Sequence, residues 1–87
     1  MLEEYLGQKI VADLRGSFVC LGTLVRIDEL YLELRNADLH DLRDTQTTRE
    51  LYVAGSRATG IKRNRKRVLV VRADVVAVSL LDDVVDE

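Results

Sequence analysis

The chain contains no proline and no tryptophan, a single cysteine and four aromatic rings, three Tyr and one Phe. With so few rings the interior has to be built from Val, Leu and Ile, side chains that suit a pleated surface, and this favours a small β protein. Cys20 stands alone, which excludes an intramolecular disulfide and a cysteine-based zinc site. The apolar stretches 68–71 and 75–81 fall far below the roughly 20 residues that a membrane-spanning helix needs, so no membrane partner is expected. The N-terminus lacks the basic, apolar and small-residue order of an export signal, which implies a cytoplasmic setting. No phosphate-binding loop, nucleophile elbow or dinucleotide fingerprint occurs, so neither catalysis nor a cofactor is expected.

What is present is ordinary for a folded domain: 47% hydrophobic and 32% charged residues over 87 positions. A lone domain of this size buries only roughly 60 to 65% of its unfolded surface, so a stabilising neighbour would help it. The formal net charge of -2 is no sign of a nucleic-acid partner. Its distribution is more informative.

Along the chain, Leu2, Tyr5 and Leu6 stand at helical spacing before Gly7, predicting a helix of one to two turns that covers an open end of the sheet. Residues 8–15 alternate as a half-buried strand, with Ile10, Ala12 and Leu14 on one face, and Gly16-Ser17 makes a hairpin turn. A second strand, 18–28, is apolar on both faces, so both faces should be covered. Gly22 inside it marks a bulge, a sharp bend or a close backbone approach. The third strand alternates through Leu30, Leu32 and Leu34 and then shifts phase to Ala37 and Leu39, predicting a bulge near Arg35 and Asn36. Thr47 and Glu50 have capping-box spacing, apolar residues follow at helical intervals, and Gly60 stands where a helix would stop, predicting a helix over 48–59. Valine-rich strands over 67–72 and 75–81 end the pattern, followed by an acidic tail.

Two groups of polar residues invite a functional reading. Arg57, Lys62, Arg63, Arg65, Lys66, Arg67 and Arg72 fall within sixteen positions that contain no acid, more than half of the thirteen cations. Such a segment suits the phosphates of a nucleic acid, whose neutralisation releases counterions. The alternative is a solvated loop whose charge balances the acidic tail of a neighbouring copy. Asp38, His40 and Asp41 form a polar strand end with no distant ligands to complete a site, so no metal is expected. Cys20, inside an apolar run, reads as packed rather than reactive.

Residues 7–41, GQKIVADLRGSFVCLGTLVRIDELYLELRNADLHD, resemble the first motif of the Sm and Sm-like family, with Gly7 before the first strand, Gly16 and Phe18 at the hairpin, Gly22-Thr23-Leu24 and Asp28. Residues 68–82, VLVVRADVVAVSLLD, resemble its second motif. The resemblance, to the bacterial or phage type, implies a mainly β fold: a small, strongly bent five-stranded antiparallel SH3-like barrel. A short N-terminal helix would precede it, and a helical insert would separate strands 3 and 4. It implies one domain, divided into the first motif with its helix (1–41), the variable insert (42–66), the second motif (67–82) and the tail (83–87). Strands 67–72 and 75–81 would pair between copies to close a homo-oligomeric ring, usually of about six or seven subunits.

Family members bind single-stranded RNA at the ring pore, which implies a role here as a ribonucleoprotein component or RNA chaperone. Arg72 matches the base-holding arginine of the second motif. In the loop before the third strand, Tyr31 or Leu30 stands where the family has a base-reading asparagine. Ala73 and Val75 replace the Gly and Asn usual after the arginine. The implied RNA site is therefore Arg72, Tyr31 and Asp28, joined by Lys62, Arg63, Arg65, Lys66 and Arg67 on a basic face. A different reading remains open: a ring that serves as a structural or protein-interaction module, with the helix over 48–59 as its docking surface.

Overall fold

Tight turns and alternating aliphatic residues give this chain a single antiparallel sheet. A computed structural model describes residues 1–85. Its strands are β1 (Lys9–Leu14), β2 (Phe18–Ile27), β3 (Tyr31–Asp41), β4 (Arg65–Val71) and β5 (Val75–Leu80). They lie in the order β4-β3-β2-β1-β5, which makes β4 and β5 the two edges. The helix α1 (Arg49–Thr59) lies between β3 and β4. The expected architecture is present, and its N-terminal element is a 3-10 turn (Leu2–Tyr5) rather than an α-helix. Gly7 follows at φ 82°, a left-handed conformation that admits glycine readily. Leu2 and Tyr5 pack against the inner core, covering its open end.

The bend is built at Gly22. Leu21 pairs with Asp38 and Thr23 with Arg35, so Asn36 and Ala37 together oppose the single residue Gly22. Asn36 takes the left-handed conformation at φ 49°, making the expected bulge. A Cβ on Gly22 would come within 3.0 Å of the Ala37 Cβ and 3.1 Å of the Arg35 carbonyl oxygen. Close approach is therefore what the glycine provides. A second irregularity leaves Val25 of β2 without a partner between the Leu24–Leu34 and Arg26–Glu33 pairs.

Both faces of β2 are covered over residues 19–22, whereas Val25 further along is 38% exposed. Cys20 and Leu24 join Ile10, Ala12, Leu32, Leu34, Ala37 and Val70 in the inner core. Val19 and Leu21 face the other way, where Val11, Val53 of α1 and Leu81 form a second, outer core. Val11 breaks the polar pattern of the outward face of β1, and α1 is the reason. The helix is thus a lid on the outside of the sheet.

Several boundaries differ from the sequence expectation. Thr48, not Thr47, caps α1: its Oγ1 accepts from the Leu51 N–H at 3.2 Å, and the register excludes Glu50 from the capping box. β4 begins at Arg65, so Arg65 and Lys66 belong to a strand rather than to the insert. Asn64 makes this possible, donating through its backbone N–H to the Ala37 carbonyl and through Nδ2 to the Leu39 carbonyl, while Oδ1 accepts from the Leu39 N–H. The acidic tail also starts later than expected, because a 3-10 turn (Leu81–Asp83) buries Leu81 and Val84 packs on the outer core. Its last two residues, 86 and 87, lie outside the described residues.

Candidate nucleic-acid interface

The β2–β3 turn is organised by Asp28, whose Oδ1 accepts from the backbone N–H groups of Leu30 at 2.8 Å and Tyr31 at 2.7 Å. These bonds, that to Tyr31 first, hold its carboxyl below the usual carboxylate range. The Asp28 side chain is therefore spent on shaping the turn. Leu30 projects from the tip, 66% exposed, with Tyr31 beside it at 38%.

Arg72 arrives from the other end of the chain, immediately after β4. Its backbone N–H donates to the Leu30 carbonyl at 2.8 Å, and its Nη1 donates to the Asp28 carbonyl at 2.6 Å. No carboxylate pairs with it among the described residues. The guanidinium is thus fixed by a neutral oxygen. Arg72, remote in sequence, meets Asp28 and Tyr31 at one turn, where a flat cation and a phenol ring offer surfaces on which a base can stack.

The basic segment does not act as one unit. Lys62, Arg63, Arg65 and Lys66 take part in no ion pair among the described residues. Arg63 is oriented by the Asn36 side chain, to whose Oδ1 its Nη1 donates at 2.7 Å. Arg67 is different: its Nε lies 3.0 Å from Oε2 of Glu33, a buried carboxylate on the outward face of β3. Arg35 and Arg26 approach the same carboxylate at 3.5 and 3.6 Å. The hydrogen bond from Arg67 depresses the Glu33 pKa more than burial raises it. Three guanidiniums share one carboxylate, leaving two positive charges in surplus. Glu33 was missed in the sequence because its arginines come from three strands; its signals are Arg26, directly opposite it across β2 and β3, and Arg35, two residues on along the same face of β3.

The polar strand end divides among separate partners. His40 stacks on Tyr52 of α1 with ring centroids 4.2 Å apart, and Asp38 accepts from Asn64 Nδ2 at 3.1 Å. Asp41 binds Arg43 Nη2 at 2.7 Å and the Ser17 hydroxyl at 2.7 Å, which hold its carboxyl far below the usual range. Cys20 is buried, and desolvation pushes its thiol up to about 12.

A solved Sm protein of Pyrococcus abyssii, in complex with a uridine heptamer, superposes on this chain with a TM-score of 0.62 at 16% identity, covering 91% of this chain and 90% of the other. This chain has the Sm fold. The likeness carries the fold and not the bacterial or phage type of the family. No protein-family model matches the chain, and no curated protein matches it in sequence. No helix among the described residues is long and apolar enough to cross a membrane.

Proposed function

We propose that this protein is an Sm-like RNA-binding protein, of the bacterial or phage type, that assembles as a homo-oligomeric ring in the cytoplasm. It binds rather than transforms its ligand, as a ribonucleoprotein component or RNA chaperone. The observation that carries this reading is Arg72, held at the Asp28 carbonyl beside the exposed Tyr31 with its charge unpaired. The Sm fold shared with a protein solved on a uridine heptamer supports single-stranded RNA as the ligand class. In a ring, β4 of one copy would add to β5 of the next, consuming both edges and gathering the Arg72 side chains around the pore.

The test is titration with short labelled oligo-U, oligo-A and mixed RNA at low and high salt, with the particle mass measured in the same buffer. Saturable, salt-sensitive binding by a closed oligomer supports the reading, and a base preference assigns it to the Arg72–Tyr31 turn. An oligomer without RNA affinity at low salt favours the structural or protein-interaction module. For that second reading the specific observation is Leu51, 64% exposed on the outer side of α1.

A further inference from the structure

The helix α1 is buried along one side only. Val53 and Ser56 face the sheet, and Arg49 turns toward it as well, its Nη2 donating to the Gly16 carbonyl at 3.1 Å and its Nε lying 3.7 Å from Asp13 Oδ1. The opposite side carries Leu51, Ala54, Gly55 and Ala58, whose spacings of three and four align them along the helix. A solvent-facing side is ordinarily polar or charged. Here Leu51 is 64% exposed, and Gly55 and Ala58 are exposed beside it.

Gly55 is a second, independent observation. A glycine inside a helix is destabilising relative to alanine, and the fold gives no reason for this one: its φ is not positive, and a Cβ there would meet nothing within 4 Å, in contrast to Gly22. It opens instead onto a groove of about 260 Å³ that Leu51, Tyr52 and Thr59 also line. Close approach from outside the chain is the use left for it. Charge says what approaches. Glu50 and Arg57, seven residues apart and so on one side of α1, border the stripe, and neither enters an ion pair among the described residues. Antiparallel pairing with the same helix of another copy sets each Glu50 against an Arg57, whereas parallel pairing brings like charges level with one another.

We infer that the outer stripe of α1 pairs antiparallel with the same stripe of a second copy, Leu51 of each seated against Gly55 and Ala58 of the other, with Glu50 and Arg57 paired at both ends. The contact goes beyond the RNA reading and uses neither β4 nor β5. Neighbours in a closed ring of more than two copies meet through unlike surfaces, so a self-complementary face joins copies from different rings, or two single chains where no ring forms. Either way the particle doubles. An 11-residue helix spans only about 16 Å, so one such contact is weak by itself and gains by repetition between two facing rings.

Charge reversal on the full 87-residue chain tests the pairing, read by sedimentation velocity and native mass spectrometry over a dilution series. The variants are Glu50→Arg, Arg57→Glu, the two together, and Gly55→Ala; all three positions are exposed, and circular dichroism checks the fold. The parent should double its mass at high concentration and halve it on dilution. Each single reversal should raise the dissociation constant of the doubled particle by about fivefold or more, and the two in one chain should restore it. Mixing the two single variants should give a doubled particle that contains both. Gly55→Ala should raise the Tm, as a better helix former, yet weaken doubling, because its methyl holds the helices apart. Doubling unchanged by the single reversals, no restoration in the double variant or the mixture, or doubling undiminished in Gly55→Ala each overturns the inference. So does a parent that never doubles. The mass of the undoubled particle judges the ring reading separately, since a ring without doubling and a doubled single chain are different results.

Discussion

The Arg72 guanidinium donates to the main-chain carbonyl of Asp28 at 2.6 Å, which joins the end of β4 to the β2–β3 turn. Replacing Arg72 with Ala removes the flat cation beside Tyr31. Stacking on such groups contributes about 1 to 3 kcal/mol per base, so affinity for short single strands should fall by about 5- to 150-fold. Arg72→Lys should rescue only part of it, because an ammonium lacks the planar face. Fluorescence anisotropy with labelled oligonucleotides checks this, and equal affinity in all three proteins would remove Arg72 from the site.

Lys62 and Arg63 should behave differently from Arg72. Neutralising either one should weaken all RNA sequences alike and lower the slope of log affinity against log salt by about 1 per lost phosphate contact. The readout is the slope, measured across a salt series on two unrelated sequences.

Arg67 and Glu33 predict a stability effect dependent on pH. The native Glu33 pKa is depressed below its ordinary 4.5, chiefly by the hydrogen bond from Arg67, so the folded state holds that proton less tightly than the unfolded chain. The stabilisation is therefore complete above the ordinary pKa and is lost as pH falls through the depressed one. Glu33→Gln should be less stable than the parent at neutral pH, with the difference shrinking toward acid. Urea unfolding at several pH values measures it; a difference independent of pH would contradict the assignment.

Gly22→Ala should be destabilising although the position is small and buried. The new methyl meets a backbone oxygen at 3.1 Å as well as the Ala37 side chain, and backbone cannot swing aside. Overpacking of this kind costs about 1 to 3 kcal/mol, and each kcal/mol lowers the Tm of so small a domain by about 4 to 8 °C. Adding Ala37→Gly should recover only part of the loss, because the Arg35 carbonyl remains.

Thr48→Ala should cost about 1 kcal/mol by uncapping α1, and Thr47→Ala far less. Thermal unfolding of the two variants compares them directly.

The strands and their bulge were legible because each rests on local chemistry: Gly22 lacks a Cβ, and the phase slip at Asn36 moves the apolar set from Leu34 to Ala37. Covered faces were legible on β2 for the same reason, since an apolar residue at successive positions admits no solvent side. The site was legible only in its parts. Arg72 and Asp28 stood out through family resemblance, yet the Asp28 carboxylate turns out to be occupied by its own turn. Glu33 escaped because three strands must pair before its arginines converge. Asn64 escaped too, since an asparagine before a basic run reads as loop until the backbone groups of Ala37 and Leu39 are placed opposite it.

The outer core ties the insert to the strands that precede it. Val11, Val19 and Leu21 are apolar because Val53 of α1 lies over them. A shorter insert, with the helix excised, would leave these three on an open surface, so the change would be viable only with polar replacements at all three positions. The insert and the outward faces of β1 and β2 therefore form one packing unit, and grafting α1 onto another barrel would require transplanting those positions with it.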